Sequence, residues 1–292
     1  MKLKAYGKEN SYPCAESLVV VDTPQAQGYS LEQVKNKVIL GDALKVLKKL
    51  PSEAVDMVFI DPPYFLQLPN KTLRRWKVKS LVEAVQDDWD KFSSFVEYDT
   101  FMTQILSEAR RVMKPNATIW VIATYHSIFR IGKIMQDLGY WILNDVIWVK
   151  TNPMPNWLGV RFTNATETLI WAVKDKKVKK YTFNREAAKE YGIGKIGANV
   201  WVLPICTGAE RLKDGRGKRL HSTQKPVELL RRVLLTSTKE GDIVLDPVAG
   251  VGTTGYVARC LKRNFIMIEI NPRYVEGIKK RFRDISLGNV PE

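Results

Sequence analysis

The 292-residue sequence is poor in the residues that build metal centres and covalent cross-links, with three cysteines and two histidines. Cys14, Cys206 and Cys260 are odd in number, far apart and outside any CxxC or Cys/His pairing. That argues against a disulfide framework and a zinc site, and fits a reducing cytoplasm. His126 and His221 are too few for a His-rich centre and no acidic cluster has ligand spacing, so no metal is expected. Long hydrophobic runs are missing as well. Met1-Lys2-Leu3-Lys4 leads into no signal-type stretch, and no segment approaches the roughly 18 apolar residues of a membrane span. The expectation is a soluble, cytoplasmic chain with no membrane partner. Internal repeats and low-complexity tracts are lacking too.

What is there is a hydrophobic content of 45%, enough for one large domain or one domain with a sizeable insertion. Forty-six Lys and Arg against 31 Asp and Glu leave a formal charge of +15. Such an excess favours a polyanionic partner, nucleic acid first, although solvated surface charge is the alternative.

Residues 1–36 carry Pro13, Pro24 and Gly28 without a sustained period and read as a loosely structured arm. From Lys37 onward, Val38 to Leu40 reads as a strand, Ala43 to Leu50 as a helix closed by Pro51, and Val55 to Ile60 as a second strand. Tyr98 to Met113 has helical spacing ended by Pro115; Thr118 to Ala123 and Trp141 to Val149 read as strands around a helix from Ile128 to Leu138. This alternation over 37–150 predicts a parallel, doubly wound sheet. It fails over 151–219, where prolines, asparagines and glycines interrupt any long element, and that region reads as an insertion. It resumes over 220–292 with helices near Val227 to Ser237 and Thr254 to Leu261, strands at Ile243 to Leu245 and Phe265 to Ile268, and a last helix after Pro272.

Gly250-Val251-Gly252-Thr253-Thr254-Gly255 follows a strand and opens a helix, so its backbone can approach a ligand closely. A P-loop would need a Lys where Tyr256 stands. A dinucleotide turn would suit Glu269, which ends the next strand and could take ribose hydroxyls. Asp246-Pro247, just ahead of the turn, separates a third reading. A carboxylate there would repel a pyrophosphate but suits a ligand with an amine and a sulfonium, such as S-adenosylmethionine. On that account Gly250 and Gly252 let the backbone approach, Asp246 and Thr253 lie near the amino-acid part, and Glu269 holds the ribose.

Asp61-Pro62-Pro63-Tyr64 follows the apolar strand Met57 to Ile60, which puts a carboxylate, a rigid backbone and an aromatic ring at a strand's carboxyl end, where open α/β sheets bind ligands. A strand-ending Pro-Pro turn is the plainer reading. The residue types nevertheless fit one task. An exocyclic base amine is a poor nucleophile, because its lone pair is delocalised into the ring. Asp61 can accept one of its hydrogens and the Pro62 carbonyl the other, while Tyr64 stacks on a base taken out of the duplex. No Cys lies near this turn, which disfavours methylation of a ring carbon.

With both motifs, the chain resembles the amino-group DNA methyltransferases, in the β arrangement where DPPY precedes the S-adenosylmethionine turn and the target-recognition region lies between. Asp87 to Phe92, Trp141 to Asn156 and His221 to Pro226 are similar to segments of the HinfI and CcrM adenine methyltransferases, which act on GANTC. The resemblance covers residues 37–285 and implies an α/β fold: a Rossmann-like methyltransferase sheet, circularly permuted, with an inserted target-recognition region at 151–219. It implies Asp61, Pro62, Pro63 and Tyr64 as the catalytic motif. For S-adenosylmethionine it implies Asp246, Pro247, Ala249, Gly250, Gly252, Thr253, Thr254 and Asn271, with Glu269 on the ribose. Asp42 and Ala43 would lie beside the cofactor's adenine, His221, Thr223, Lys225 and Pro226 would flank its methionine end, and Asp61 would also contact the cofactor. Asp42 could equally cap a helix, and His221 could be a surface or capping residue.

Relatives usually carry Phe where Val248 stands, which lowers the expected cofactor affinity. The chain also stops soon after Ile285, short of the extension of the CcrM branch. Double-stranded DNA is the implied partner, a homodimer stays open, and the chain would associate with the nucleoid through DNA. Three basic segments, Lys71 to Lys79, Lys174 to Lys180 and Arg211 to Arg219, would hold phosphates, with Lys71, Arg74, Arg75, Lys77 and Arg211 among them. Base edges need donors and acceptors such as Asn152, Asn156 or Arg161. The rival readings are an N4-cytosine methyltransferase, an RNA or protein-glutamine methyltransferase, an NAD-dependent oxidoreductase and a catalytically silent DNA-binding module.

Overall fold

Alternating strands and helices close into a single nine-stranded sheet flanked by helices on both faces, in a computed structural model that describes residues 18–24, 27–66, 73–75, 78–82, 90, 92–156, 159–191 and 197–286. For 73–75, 78–82 and 284–286 the description is of the backbone alone. In chain order come β1 (Val19–Val21), α1 (Leu31–Val34), β2 (Lys37–Leu40), α2 (Ala43–Lys49) and β3 (Val55–Ile60). A small hairpin, β4 (Leu73–Arg75) and β5 (Val78–Val82), precedes α3 (Phe95–Val112), β6 (Met113–Ala123), α4 (Ile128–Asp137) and β7 (Trp141–Lys150). Then follow β8 (Thr166–Val173), α5 (Arg185–Lys189), β9 (Val200–Leu203), α6 (Val227–Ser237), β10 (Ile243–Asp246), α7 (Thr253–Cys260), β11 (Asn264–Glu269) and α8 (Pro272–Ser286).

The strand order is β1-β2-β11-β10-β3-β6-β8-β7-β9. The chain thus lays down β3 before β10, its neighbour in the sheet, as the permuted arrangement requires. From Met57 to Ile60 β3 is apolar because both its faces are covered, and Asp56 near its start pairs with Lys114 at 2.7 Å. Val58 and Ile60 pack toward the layer of α2, α3 and α4, while Met57 and Phe59 pack toward α6, α7 and α8. Among the described residues, no helix is long and apolar enough to cross a membrane.

Two expectations need correction. The arm placed at 1–36 is not loose throughout: β1 pairs in parallel with β2, from Val19 opposite Val38 to Val21 opposite Leu40. Three valines at a sheet edge, between Pro13 and Pro24, are too short to show a period, so the sequence hides them. Residues 1–17 lie outside the described residues. The second correction concerns 151–219 and the all-parallel sheet. β8 belongs to the central sheet and runs antiparallel between β6 and β7, with Trp171 beside Trp120. Leu169 to Val173 are all buried, so no alternation marks them as a strand.

Arg111 of α3 secures the unit that carries β2 and β3 by donating to the last carbonyls of α2, Nη2 to Leu47 at 2.7 Å and Nη1 to Leu50 at 2.9 Å. Replacing it by Met keeps the aliphatic contact but leaves those acceptors without a charged donor. Arg111→Met should lower the unfolding free energy by about 1–3 kcal/mol in a urea titration. An unchanged midpoint would contradict this role.

Candidate active site

β2, β11, β10 and β3 are adjacent and parallel, so their carboxyl ends lie along one edge of the sheet. Each ends in or next to an acid: Asp42, Glu269, Asp246 and Asp61. The four acids line one cavity of about 770 Å³. Ala43, Pro62, Pro63, Tyr64, His221, Thr223, Lys225, Pro247, Ala249, Gly250, Thr253, Thr254 and Asn271 line it as well. Gly252 and Pro226 do not; they cap the N-termini of α7 and α6. Asp42 has a double position, since its carboxylate caps α2 by accepting from the Lys45 N–H at 2.9 Å while it faces the cavity.

The glycine turn bends through two left-handed residues, Gly250 (φ 53°) and Gly252 (φ 71°). A side chain at Gly252 would also meet Ile278 of α8 at 2.8 Å, and one at Gly250 the His221 ring at 3.2 Å. Glu269 fixes the turn by accepting the N–H of Gly250 and that of Asn271, both at 2.7 Å. Arg281, buried beneath, donates to the Val251 carbonyl at 3.2 Å and to Thr253 Oγ1 at 3.0 Å. Asp246 accepts the Val248 N–H at 3.1 Å. Burial pushes the Asp246 carboxyl from 3.8 up to about 7, and that of Glu269 from 4.5 up to about 7. Two buried acids beside a helix N-terminus can hold a ligand bearing an amine and ribose hydroxyls, and the volume suits one of nucleoside size.

The Asp61 turn is braced from α3 and from the loop before it. The Tyr98 hydroxyl donates to the Pro63 carbonyl at 2.9 Å. Asp90 accepts the N–H of Phe65 at 2.6 Å and of Leu66 at 3.0 Å, which holds Phe65 at φ 51°. The Phe65 ring stacks on Tyr98 and meets Phe92 edge-on. Asp90 and Phe92 come from the segment similar to the HinfI and CcrM enzymes; Asp87, Asp88, Trp89 and Lys91 lie outside the described residues.

Behind Asp61 runs a chain of buried charges. Lys225 Nζ stands 2.9 Å from Asp61 Oδ2 and 3.6 Å from Glu167 Oε2, and Lys150 Nζ lies 2.9 Å from Glu167 Oε1. The Tyr64 hydroxyl is 2.9 Å from Asp61 Oδ1 and 3.1 Å from Glu167 Oε2. Burial raises the Asp61 carboxyl, Glu167 raises it further, and Lys225 pulls against both. For Glu167 burial is outweighed by the two lysines, which hold it ionised. Lys225, expected at the cofactor's methionine end, lines the cavity and gives its ammonium to Asp61. Sequence reasoning missed Glu167, Lys150 and Arg281. For the first two the usable signal was opposite charges at the facing ends of two strands, and it becomes visible only once β8 is recognised.

The proposed DNA contacts are scattered. Asn152 accepts the Ile205 N–H at 2.9 Å, and Arg211 donates to the Cys206 carbonyl at 3.1 Å, so both already tie loops together. Asn156 donates to the Arg161 carbonyl at 2.6 Å, and Arg161 to the Tyr125 hydroxyl at 2.9 Å, beside the exposed Phe162. Arg74 and Arg75 lie in β4; Lys71 and Lys77 lie outside the described residues. Among the described residues, no group of three or more His, Cys, Asp or Glu could hold a metal.

Residues 55–280 match a family model described as DNA methylase, of the N6 and N4 type. The chain is 50% identical over 250 residues to type II methyltransferase M.HinfI of Haemophilus influenzae, an alignment covering 86% of this chain and 69% of that protein. It is 42% identical over 240 residues to type II methyltransferase M2.LlaDCHI of Lactococcus lactis subsp. cremoris, covering 82% and 86%. Its fold is similar to that in the crystal structure of an M1.HpyAVI–SAM complex, with a TM-score of 0.58, 25% identity and coverage of 84% and 97%.

The raised carboxyls of Asp246 and Glu269 set a pH dependence. Between the unfolded values and about 7 the folded chain binds more protons than the unfolded one, so the stability of the ligand-free protein falls as pH rises through that window. A cationic ligand reverses the sign by pairing with the ionised forms. Calorimetry should find S-adenosylmethionine bound more tightly at pH 8 than at pH 6, by about tenfold. Equal or weaker binding at pH 8 would contradict this.

Proposed function

The chain belongs to the N6/N4 DNA methylase family, and on that premise we propose that it transfers a methyl group from S-adenosylmethionine to N6 of an adenine flipped out of duplex DNA. One observation carries the reading: the acids suited to an amine and a ribose, Asp246 and Glu269, share a single cavity with the Asp61 turn suited to a base amine. The donor's sulfonium supplies an electrophilic methyl group. The protein's part is to place the amine and shift its electrons. Asp61 accepts one amine hydrogen and the Pro62 carbonyl the other, which favours a more tetrahedral nitrogen with a usable lone pair. The Tyr64 ring covers the base.

Asp246, Thr253 and Thr254 would face the donor's amino-acid part, Glu269 its ribose, and Asp42 its adenine. Val248, which lines the cavity, stands where relatives usually carry Phe, and it leaves the donor less apolar cover. A dinucleotide reading fits less well, because the buried Asp246 carboxylate would face a pyrophosphate. Adenine is favoured over the N4 of cytosine by the DPPY motif and its HinfI-like flanks, and GANTC is the target we propose on the same likeness. Duplex DNA would be held by the basic surface through phosphates, making affinity salt-dependent.

Asp61→Asn removes the anionic acceptor at nearly constant volume. Transfer of label from tritiated S-adenosylmethionine to DNA should fall at least about a hundredfold, while DNA binding in a filter assay stays within about threefold. Full activity in the variant would contradict the reading, and binding with no transfer even by the native chain would leave a DNA-binding module.

A further inference from the structure

Both oxygens of the Asp61 carboxylate already have partners. Oδ1 lies 2.9 Å from the Tyr64 hydroxyl, and Oδ2 lies 2.9 Å from Lys225 Nζ. An amine hydrogen arriving at Asp61 Oδ1 therefore shares that oxygen with the Tyr64 hydroxyl, and the two donors compete for the same charge. The Tyr64 hydroxyl carries one proton and has two carboxylate acceptors in reach, because Glu167 Oε2 stands 3.1 Å away on the other side. Rotation about the phenolic C–O bond moves that proton from one acceptor to the other without moving a heavy atom.

Glu167 is fitted for this use. It is buried on β8 and held ionised, with Lys150 at 2.9 Å from its other oxygen and Lys225 at 3.6 Å from the shared one. No other acid lies against Tyr64 in the hydrogen-bond and ion-pair network of the described residues. Glu167 also balances the buried Lys150 and Lys225, so the test must separate that charge-pairing role from its contact with Tyr64.

We propose that Glu167 is a positioning residue for methyl transfer: it takes over the Tyr64 hydroxyl hydrogen bond when the target amine docks, which frees Asp61 Oδ1 to accept the amine hydrogen while Lys225 keeps Oδ2 in place. This rests on the reading of Asp61 as the amine acceptor. A charged acceptor competes with Asp61 for the hydroxyl on equal terms, whereas a neutral amide does not, because hydrogen bonds to an ion are roughly twice as strong. A carboxamide at 167 therefore leaves the hydroxyl on Asp61, where it weakens the acceptor that the amine must use.

The test is a double-mutant cycle on kcat, with the KM for S-adenosylmethionine and for DNA measured alongside. Glu167→Gln should lower kcat about tenfold or more with both KM values within about twofold. Imposed on Tyr64→Phe, which has no hydroxyl to transfer, the same change should cost less than about threefold. Equal losses in the two backgrounds, or an unchanged kcat for Glu167→Gln alone, would overturn the proposal. Should the Gln variant lose cofactor binding, Glu167→Asp, with its charge kept and its reach shortened, replaces it. A kcat fall confined to the Tyr64 background supports the proposal, and falls of the same size in both overturn it. A native chain that methylates no base amine defeats the underlying reading; an active native chain with independent losses defeats this inference alone.

Discussion

Four adjacent strands of this sheet run in the same direction, so whatever follows their carboxyl ends is gathered along one edge of the molecule. β2, β11, β10 and β3 deliver Asp42, Glu269, Asp246 and Asp61 to that edge although the acids lie up to 227 positions apart in the chain. Were one of these strands reversed, its acid would sit at the opposite edge, more than a strand length away. The antiparallel β8 obeys the same constraint from the other direction: its amino end meets the carboxyl ends of its neighbours, and that is how Glu167 reaches Asp61.

Gathering acids in this way has a cost, and the surroundings divide the cavity according to how it is met. At the glycine turn no lysine among the described residues answers Asp246 or Glu269. Backbone N–H groups and the α7 N-terminus do so in part, and both carboxyls rise to about 7. That end is poised for a cationic ligand. At the Asp61 end two lysines face two carboxylates, and the cluster is neutral in sum without any ligand. That end suits a neutral base, whose amine needs a hydrogen-bond acceptor and would gain nothing from a bare charge. One cavity thus holds two electrostatic environments side by side, which is what joining a charged donor to an uncharged acceptor calls for.

Much of this was legible in the sequence, and what escaped did so for identifiable reasons. α6 begins and ends where its 3.6-residue period and Pro226 put it, and the strands leading to Asp61 and Asp246 are apolar runs bounded by Pro turns. The glycine turn declared itself because two left-handed residues admit few substitutes for Gly. β8 was hidden by its own burial, since a strand covered on both faces has no alternation and its neighbourhood is crowded with loop residues. With β8 unseen, Glu167 had no location, and the contact between Tyr64 and Glu167, 103 residues apart, cannot be read from local pattern. The motif placed Lys225 among the cavity residues, but its pairing with Asp61, 164 positions away, cannot be read from local pattern.

The identity of the methylated atom tests the account most directly. Native protein incubated with labelled S-adenosylmethionine and mixed-sequence duplex DNA, followed by digestion to nucleosides, should yield label in N6-methyladenine. Label in N4-methylcytosine would keep the cavity and overturn the base, whereas label in no nucleoside, with the cofactor bound, would contradict the assignment of Asp61 as the acceptor of a DNA amine.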